Sequence, residues 1–353
     1  MNAETENYEA FESYSRGLDR YRKYSQGNDQ GLLEKAMVEF EKSLKLDPNF
    51  FMPKYYRAVI KDLMGDFKAA SRDLYEMKET APKEFHDLVR YSLAVSLYHF
   101  YKPEKIEESI THFDSIKSKD FYVNALAKAG KLQSIAVGMM LNYKSPKDFS
   151  KAKKDWKKIK RQGEILLVKL HFRKWIDSKR KRKREDVKNY ITEIKWVTYN
   201  AMGLATMYMS DTIRFEQQNS IRYKKFSREL ESAREYFLKA DGINPNHWAI
   251  LSNMGSLSFR KTVMGFVHFD SKWEESFKET IQLFNKVLMV RPDYDFAYYE
   301  MGKLSRMTQN YDAGIHYFEE ALKAQENTKK VNVPTKSITN QIERCQKRDS
   351  RFF

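Results

Sequence analysis

Seven histidines, one cysteine and an uneven set of cations are the residues of this chain whose type and spacing could do chemistry. Histidines bind metal when two or three share a helix face. His86, His99 and His112 recur every thirteen residues, too far apart for one face to gather them, and the other four are scattered. Cys345 is alone, so the chain can form neither an internal disulfide framework nor a thiolate cluster. It falls in an apolar helical pattern and reads as a small core residue rather than a nucleophile. No phosphate-cradling G-x-x-x-x-G-K-[ST], dinucleotide-binding G-x-G-x-x-G, nucleophile-elbow G-x-S-x-G or zinc-binding H-E-x-x-H is present. Carboxylates are plentiful but in no diagnostic pairing. The expectation is a protein without catalysis, cofactor or metal.

The cations are concentrated. Net charge is +16, and residues 151–184 hold 16 Lys and Arg against Asp155, Glu164 and Asp177, which leaves +3 for all the rest. Three readings of this segment stay open. It is a solvated helix face, with lysines outward between core residues Ala152, Trp156 and Ile159. Or it contacts nucleic acid through Lys153, Lys154, Lys157, Lys158, Lys179, Arg180, Lys181, Arg182, Lys183 and Arg184, since clustered cations release counterions from a polyanion. Or, in a eukaryotic source, residues 179–184 are a nuclear-import signal. Trp156, Phe172 and Trp175 interleave the cations, but their periodicity is that of a core. Nucleic acid would be held through phosphates without sequence preference.

No run approaches ~18 apolar residues, so no membrane span is expected. The acidic start, Met1-Asn-Ala-Glu-Thr-Glu-Asn-Tyr-Glu-Ala, lacks the basic region and apolar core of a secretory signal. A soluble cytoplasmic protein is the expectation, nuclear if the basic run is an import signal.

The elements that must position these residues are helical and repeated. Arg291-Pro-Asp-Tyr-Asp-Phe-Ala-Tyr-Tyr-Glu-Met-Gly-Lys-Leu and Asn310-Tyr-Asp-Ala-Gly-Ile-His-Tyr-Phe-Glu-Glu-Ala-Leu read as two helices joined by a polar turn. Tyr298, Met301 and Gly302 share one face; Gly314, Phe318 and Ala321 share another. Small residues admit close approach and large ones fill the space beside them. The same alternation recurs at Gly17 with Ala36, Phe40 and Ser43; at Ala58 with Ala70 and Leu74; at Gly203 with Ala233, Phe237 and Ala240; and at Gly255 with Phe284 and Val287. Pro48, Pro82, Pro245 and Pro292 stop the second helices, and Pro48 and Pro82 are 34 residues apart. A third unit is read with Leu88, Tyr91, Ser92 and Val95 on its first face and Ser109, Phe113 and Ile116 on its second. A fourth has a long first helix from Ala125 to Leu141 and a second carrying Phe149, Ala152, Trp156 and Ile159.

This pattern resembles the tetratricopeptide repeat, a 34-residue helix-turn-helix unit. The resemblance covers roughly 10–120 and 196–326. It implies an all-α, right-handed superhelical solenoid of about seven repeats. The expected organisation is an N-terminal array (1–161), an atypical basic helical insert (162–195), a C-terminal array (196–326), and a polar linker with a capping helix (327–353). The insert is read as a separate helix, Glu164 to Asp177, with Ile165, Val168, Phe172, Trp175 and Ile176 on its apolar face. Extra residues at Asp211–Arg228 and around Phe266–Trp273 are read as helix extensions or binding loops. Pro334 and Ser337 start the last helix, with Ile338, Ile342 and Cys345 inward.

Members of this family are scaffolds whose first helices line a groove for a partner's peptide, helix or tail. Some hold a C-terminal carboxylate with Asn, Lys and Arg, since charge-assisted donors converge on one anion. By that resemblance the groove residues here are Asn200, Asn253, Arg260, Tyr299, Lys303 and Arg306. Lys303 and Arg306 are three apart, where the usual basic pair is four apart, so ordinary polar residues on a solvated face are the plainer reading. The implied role is a protein-interaction scaffold. The alternatives are a nucleic-acid-associated protein and a regulatory or sensor subunit with a small-ligand pocket.

Overall fold

The computed structural model describes residues 5–27, 30–143, 146–179, 185–214, 220–328 and 332–349. Among them are fifteen α-helices and no strand. In chain order these are α1 (Tyr8–Gly27), α2 (Gln30–Leu46), α3 (Phe51–Leu63), α4 (Phe67–Thr80), α5 (His86–Tyr98), α6 (Pro103–Ser115), α7 (Phe121–Asn142), α8 (Phe149–Lys179), α9 (Glu185–Arg214), α10 (Ser220–Asp241), α11 (Trp248–Val267), α12 (Trp273–Val290), α13 (Asp295–Met307), α14 (Tyr311–Thr328) and α15 (Thr335–Gln346). Two compact units contain them: Met1–Asn142 with Lys157–Ala201, and Tyr143–Trp156 with Met202–Phe353.

The helices form hairpins because of what faces what. Each second helix places a small residue four before, and another core residue three after, a large apolar one: Ala36/Phe40/Ser43, Ala70/Leu74/Met77, Ser109/Phe113/Ile116, Ala233/Phe237/Ala240, Thr280/Phe284/Val287 and Gly314/Phe318/Ala321. These positions lie on one helical face and are all buried. The phenylalanine then lies on a glycine of the first helix. A β-carbon on Gly17 would sit 2.7 Å from the ring of Phe40, on Gly203 2.5 Å from Phe237, on Gly255 2.9 Å from Phe284 and on Gly302 2.6 Å from Phe318. In the α5–α6–α7 region the order is reversed, and Phe113 of α6 lies over Gly130 of the following α7, at 2.5 Å by the same measure.

The chain termini of these hairpins are set locally. The four prolines read as stops follow the ends of α2, α4, α10 and α12. Asp66 caps α4 by accepting from the Ala69 amide, and the His247 ring nitrogen Nδ1 accepts from the Ala249 amide at the start of α11. The added residues of the later repeats lengthen helices: α11 has 20 residues and α12 has 18. Residues 28–29, between α1 and α2, lie outside the described residues, as do 215–219 and 329–331, within the expected fifth-unit extension and C-terminal linker.

Two expectations about helix faces are corrected. The fourth unit's second helix and the insert helix are one element, α8, of 31 residues. Its buried line is Ile159, Gly163, Leu166 and Leu170, whereas Ile165, Val168 and Phe172, read as core, are 44%, 69% and 60% exposed. This helix carries two apolar lines, and one of them is buried: Leu166 and Leu170 share a core with Ala125, Leu126 and Ala129 of α7 and Ile191 and Ile194 of α9. In α5 the buried residues are Val89, Leu93, Ala94, Ser96 and Leu97, and the line read as core, through Tyr91, Ser92 and Val95, is only partly covered. A helix flanked by neighbours on two sides buries two lines, and periodicity cannot rank the third.

The last helix is tied down by a buried carboxylate. Asp295 accepts from Gln325 Nε2 (2.7 Å), from the backbone and side-chain amides of Asn332 (3.0 and 2.6 Å) and from the Val333 amide (3.1 Å). Ile338 and Cys345 of α15 are then buried with Phe318 and Ala321.

Gly302→Ala should destabilise the full chain by about 1–3 kcal/mol, the usual cost of overpacking a tight core, read as a lower urea midpoint. Adding Phe318→Leu should recover part of the loss. Burial holds the His247 ring pKa down to about 4, below its unfolded value of roughly 6.5. The unfolded chain therefore takes up this proton first, and stability falls as pH drops from about 6.5 toward about 4. His247→Asn keeps a capping acceptor without titrating. It should match wild type in melting temperature near neutral pH and exceed it by a few degrees at pH 4.5.

Candidate functional site

In the first unit, tyrosines from successive odd-numbered helices meet. The Tyr21 ring of α1 is 5.2 Å from that of Tyr56 in α3, and Tyr56 is 5.4 Å from the neighbouring Tyr55, edge to face. The Tyr55 hydroxyl is 2.7 Å from Ser92 Oγ of α5. Beside Ser92, the Tyr91 hydroxyl donates a long 3.5 Å hydrogen bond to Glu193 Oε1 of α9. The line read as the α5 core is thus what α5 contributes to this surface. On the same helix Tyr98 accepts from Gln133 Nε2 of α7 (3.0 Å), and His99 Nδ1 lies 3.0 Å from Asp62 Oδ2 of α3.

The electrostatics show how far these groups are withdrawn from water. Burial raises the pKa of Tyr21, Tyr55 and Tyr91, and the charge of Glu193 adds to the rise at all three. Burial likewise raises the Glu193 carboxyl, opposed by the Tyr91 hydrogen bond. Yet Glu193 is solvent-exposed. Glu193 thus stands at the water-exposed edge of a tyrosine cluster in which Tyr55 is 6% exposed. Among the described residues Glu193 makes no ion pair. At neutral pH the hydroxyls remain hydrogen-bond donors, the ring faces carry the negative end of their quadrupoles, and the carboxyl is an acceptor. Such a surface suits cationic side chains.

The residues expected to line a groove are placed differently. Asn200 belongs to the first unit and is 2% exposed. The other five belong to the second unit. Arg260 holds Asp211 through two 2.8 Å bonds, from Nε and Nη2, and donates from Nη1 to the Ser256 carbonyl. Burial lowers the Arg260 pKa, but the charge and hydrogen bonds of Asp211 outweigh it and the net shift is upward. Lys303 is 3.1 Å from Glu300 Oε1, with its ammonium 4.4 Å from the centre of the Phe259 ring and 5.2 Å from that of Tyr299. Arg306 is 1% exposed and donates from Nη1 to the Asp349 carbonyl beyond α15. Tyr299 and Asn253 are half-buried. The cations that would clamp a carboxylate are engaged within the chain, and Arg306 lies under the C-terminal segment. Sequence reasoning missed the tyrosine recess; its signal was the row Tyr21, Tyr55, Tyr56, Tyr91, Tyr98 on odd helices.

Of the residues named for polyanion contact, Lys153 and Lys154 are exposed in the second unit, and Lys157 and Lys158 are exposed in the first. Arg180, Lys181, Arg182, Lys183 and Arg184, and the side chain of Lys179, lie outside the described residues. Among the described residues no group of three or more His, Cys, Asp or Glu could hold a metal, and no helix is long and apolar enough to cross a membrane. A cleft of about 670 Å³ in the second unit lies between Leu230, Arg234, Lys261, Trp273 and Glu279. Two ion pairs lie in its wall, Arg234 with Glu279 at 3.1 Å and Lys261 with Glu231.

The fold defines an all-α helical repeat of the solenoid class. Residues 297–328, which span most of α13 and all of α14, match the model of the tetratricopeptide repeat. Two solved structures align with the chain along most of its length. One is the crystal structure of the P58(IPK) TPR domain, at 15% identity over 96% of this chain and 98% of that one, with a TM-score of 0.26. The other is yeast Tom70, at 11% identity over 96% and 80%, with a TM-score of 0.27. At such scores neither superposition carries an argument. No curated protein matches the chain.

Arg260→Met leaves the Asp211 carboxylate partly buried without its partner. It should lower stability by about 2 kcal/mol, less than the ~3–5 kcal/mol of a fully buried pair. The double variant Arg260→Met/Asp211→Leu should recover most of that in urea unfolding.

Proposed function

We propose that the chain is a non-catalytic interaction scaffold, and that the tyrosine recess of its first unit seats a segment of a partner protein presenting basic side chains. The observation that carries this reading is the convergence of Tyr21, Tyr55, Tyr56 and Tyr91 from α1, α3 and α5 with Glu193 of α9. Aromatic rings bind with little conformational entropy to lose, and their hydroxyls offer donors at the rim. An arginine or lysine entering the recess would gain ring faces on its flanks and a carboxylate at its head. The same desolvation that raises the Glu193 pKa strengthens that attraction.

The repeat architecture supports a scaffold in a second way. Its stability comes from each hairpin packing on the next, so the exposed sides of the odd helices are not needed for folding. They are free to vary with the partner.

Short fluorescent peptide pools, one rich in Lys and Arg and the other in Asp and Glu, would separate the readings by anisotropy. The basic pool should bind the full chain. Glu193→Lys, an exposed position, should weaken that binding tenfold or more, equivalent to about 1.4 kcal/mol, without lowering the melting temperature. Equal binding of both pools, or basic-pool binding that survives both Glu193→Lys and Tyr91→Ala, would remove the recess as the partner site.

A further inference from the structure

The turn between α11 and α12 carries Phe266, Val267 and Phe269, which are 38%, 45% and 94% exposed. Phe269 is also strained, since its φ of 54° lies in the left-handed region that bulky residues avoid. The turn imposes that angle. The Asp270 amide donates to the Gly265 carbonyl (2.9 Å) and the Phe269 amide to the Phe266 carbonyl (3.4 Å). This pair of bonds closes a helix on a left-handed residue, ordinarily glycine. Between α3 and α4 the equivalent bond runs from the Asp66 amide to the Lys61 carbonyl, and the left-handed residue is Gly65. At the α11–α12 turn a phenylalanine takes that place. It accepts the strain and gains almost no packing in return, so its side chain answers to something outside the chain.

The three apolar side chains do not form one stripe. Phe266 and Val267 are consecutive residues of α11, about 100° apart around its axis, and Phe269 lies past the helix end where the chain has turned. A groove on a folded partner covers one side of an element. A fluid apolar medium takes side chains that point in several directions. It accepts backbone only where polar groups are satisfied internally, and the amides of this tip are. The His268 amide donates to the Met264 carbonyl (3.0 Å), the Trp273 amide to the Asp270 carbonyl (3.1 Å) and the Lys272 amide to the Asp270 carboxylate (3.0 Å). Behind the tip, the partly exposed Trp273 ring meets Phe266 edge to face at 5.2 Å, an amphipathic ring placed for the headgroup level. The charges nearby, Asp270, Lys272, Glu274 and Glu275, are of both signs. Attraction to anionic lipid is therefore not what would hold the tip.

We propose that the α11–α12 turn is a shallow anchor for a zwitterionic lipid surface. Phe266, Val267 and Phe269 enter the boundary between headgroups and acyl chains, and the helices behind them stay in water. Among the described residues no helix is long and apolar enough to span a bilayer, and an apolar tip that lies in the interface needs none. Three side chains bind reversibly, so the tip serves as one of two attachments rather than a permanent anchor. It belongs to the second unit and does not depend on the tyrosine recess.

The test is co-sedimentation of the full chain with concentrated phosphatidylcholine vesicles. Binding is expected, and raising the salt should not weaken it, because burial of apolar surface is not screened as charge is. Phe269→Gly should weaken binding about tenfold or more and at the same time raise the melting temperature, since glycine fits the left-handed position without strain. A turn with only a structural role would show the second change and not the first. Phe269→Trp should retain binding, and Phe269→Gly/Val267→Ser should abolish it. Absence of binding, or binding that persists in the double variant, would overturn the proposal. So would binding that needs phosphatidylserine and vanishes with salt, which would assign attachment to the chain's cations. Self-association lost in Phe269→Gly, read by light scattering without any vesicle binding, would overturn it in favour of a second copy of the chain.

Discussion

A phenylalanine ring occupying the space where a glycine has no β-carbon is the contact on which the hairpins rest. It recurs at Gly17–Phe40, Gly203–Phe237, Gly255–Phe284 and Gly302–Phe318. The ring brings the two helices of a hairpin to a spacing no larger residue would allow, and the small residue one turn earlier on the second helix completes the fit. Because interiors are packed like crystals, such a contact is intolerant of one added methyl. It also fixes rotation about each helix axis. Once the glycine side of a first helix faces its partner, the remaining sides are assigned to the neighbouring hairpin and to open surface. The line through Tyr91 and Ser92 on α5 is what remains after packing has taken the rest, and in the first unit such remainders form the recess.

Repetition creates a problem at its end, because the last hairpin has no successor to cover it. The chain solves this with polar groups as much as apolar ones. Asp295, 0% exposed, gathers donors from Gln325, Asn332 and Val333 and so fixes the path into α15. Arg306 is held by the Asp349 carbonyl on the far side of that helix. A buried carboxylate with four donors is tolerable where an unpaired one would not be. The same commitment takes Arg306 out of consideration as a ligand-binding cation, as Asp211 does Arg260 and Glu300 engages Lys303.

Much of the fold could be read from the sequence for a physical reason. The alternation of small and large residues at helical spacing, with proline after four of the second helices, is the packing rule written out. It located the hairpins, the capping helix and the burial of Cys345, which is 1% exposed. It did not resolve rotation where a helix carries two apolar lines. On α8, Leu166 and Leu170 compete with Ile165, Val168 and Phe172 on periodicity alone, and only the positions of α7 and α9 decide. The candidate site was less legible. Arg260 and Asp211 are 49 residues apart, so nothing local shows that the cation is already paired. The tyrosines failed to stand out because an aromatic at helical spacing is ordinarily core; their convergence depends on the stacking of α1, α3, α5 and α9.

The net charge of +16 does not describe the recess of the first unit. Unsorted, it points to a polyanion, and a long-range field of that sign would speed encounter with anything acidic. At contact distance, however, specificity comes from desolvated groups and shape, not from total charge. The recess joins aromatic rings to a carboxylate whose pKa is raised by its surroundings. Exposed positions such as Glu193 and Val168 lie outside the buried lines that hold the helices together, so their charge and shape are not constrained by the hairpin contacts.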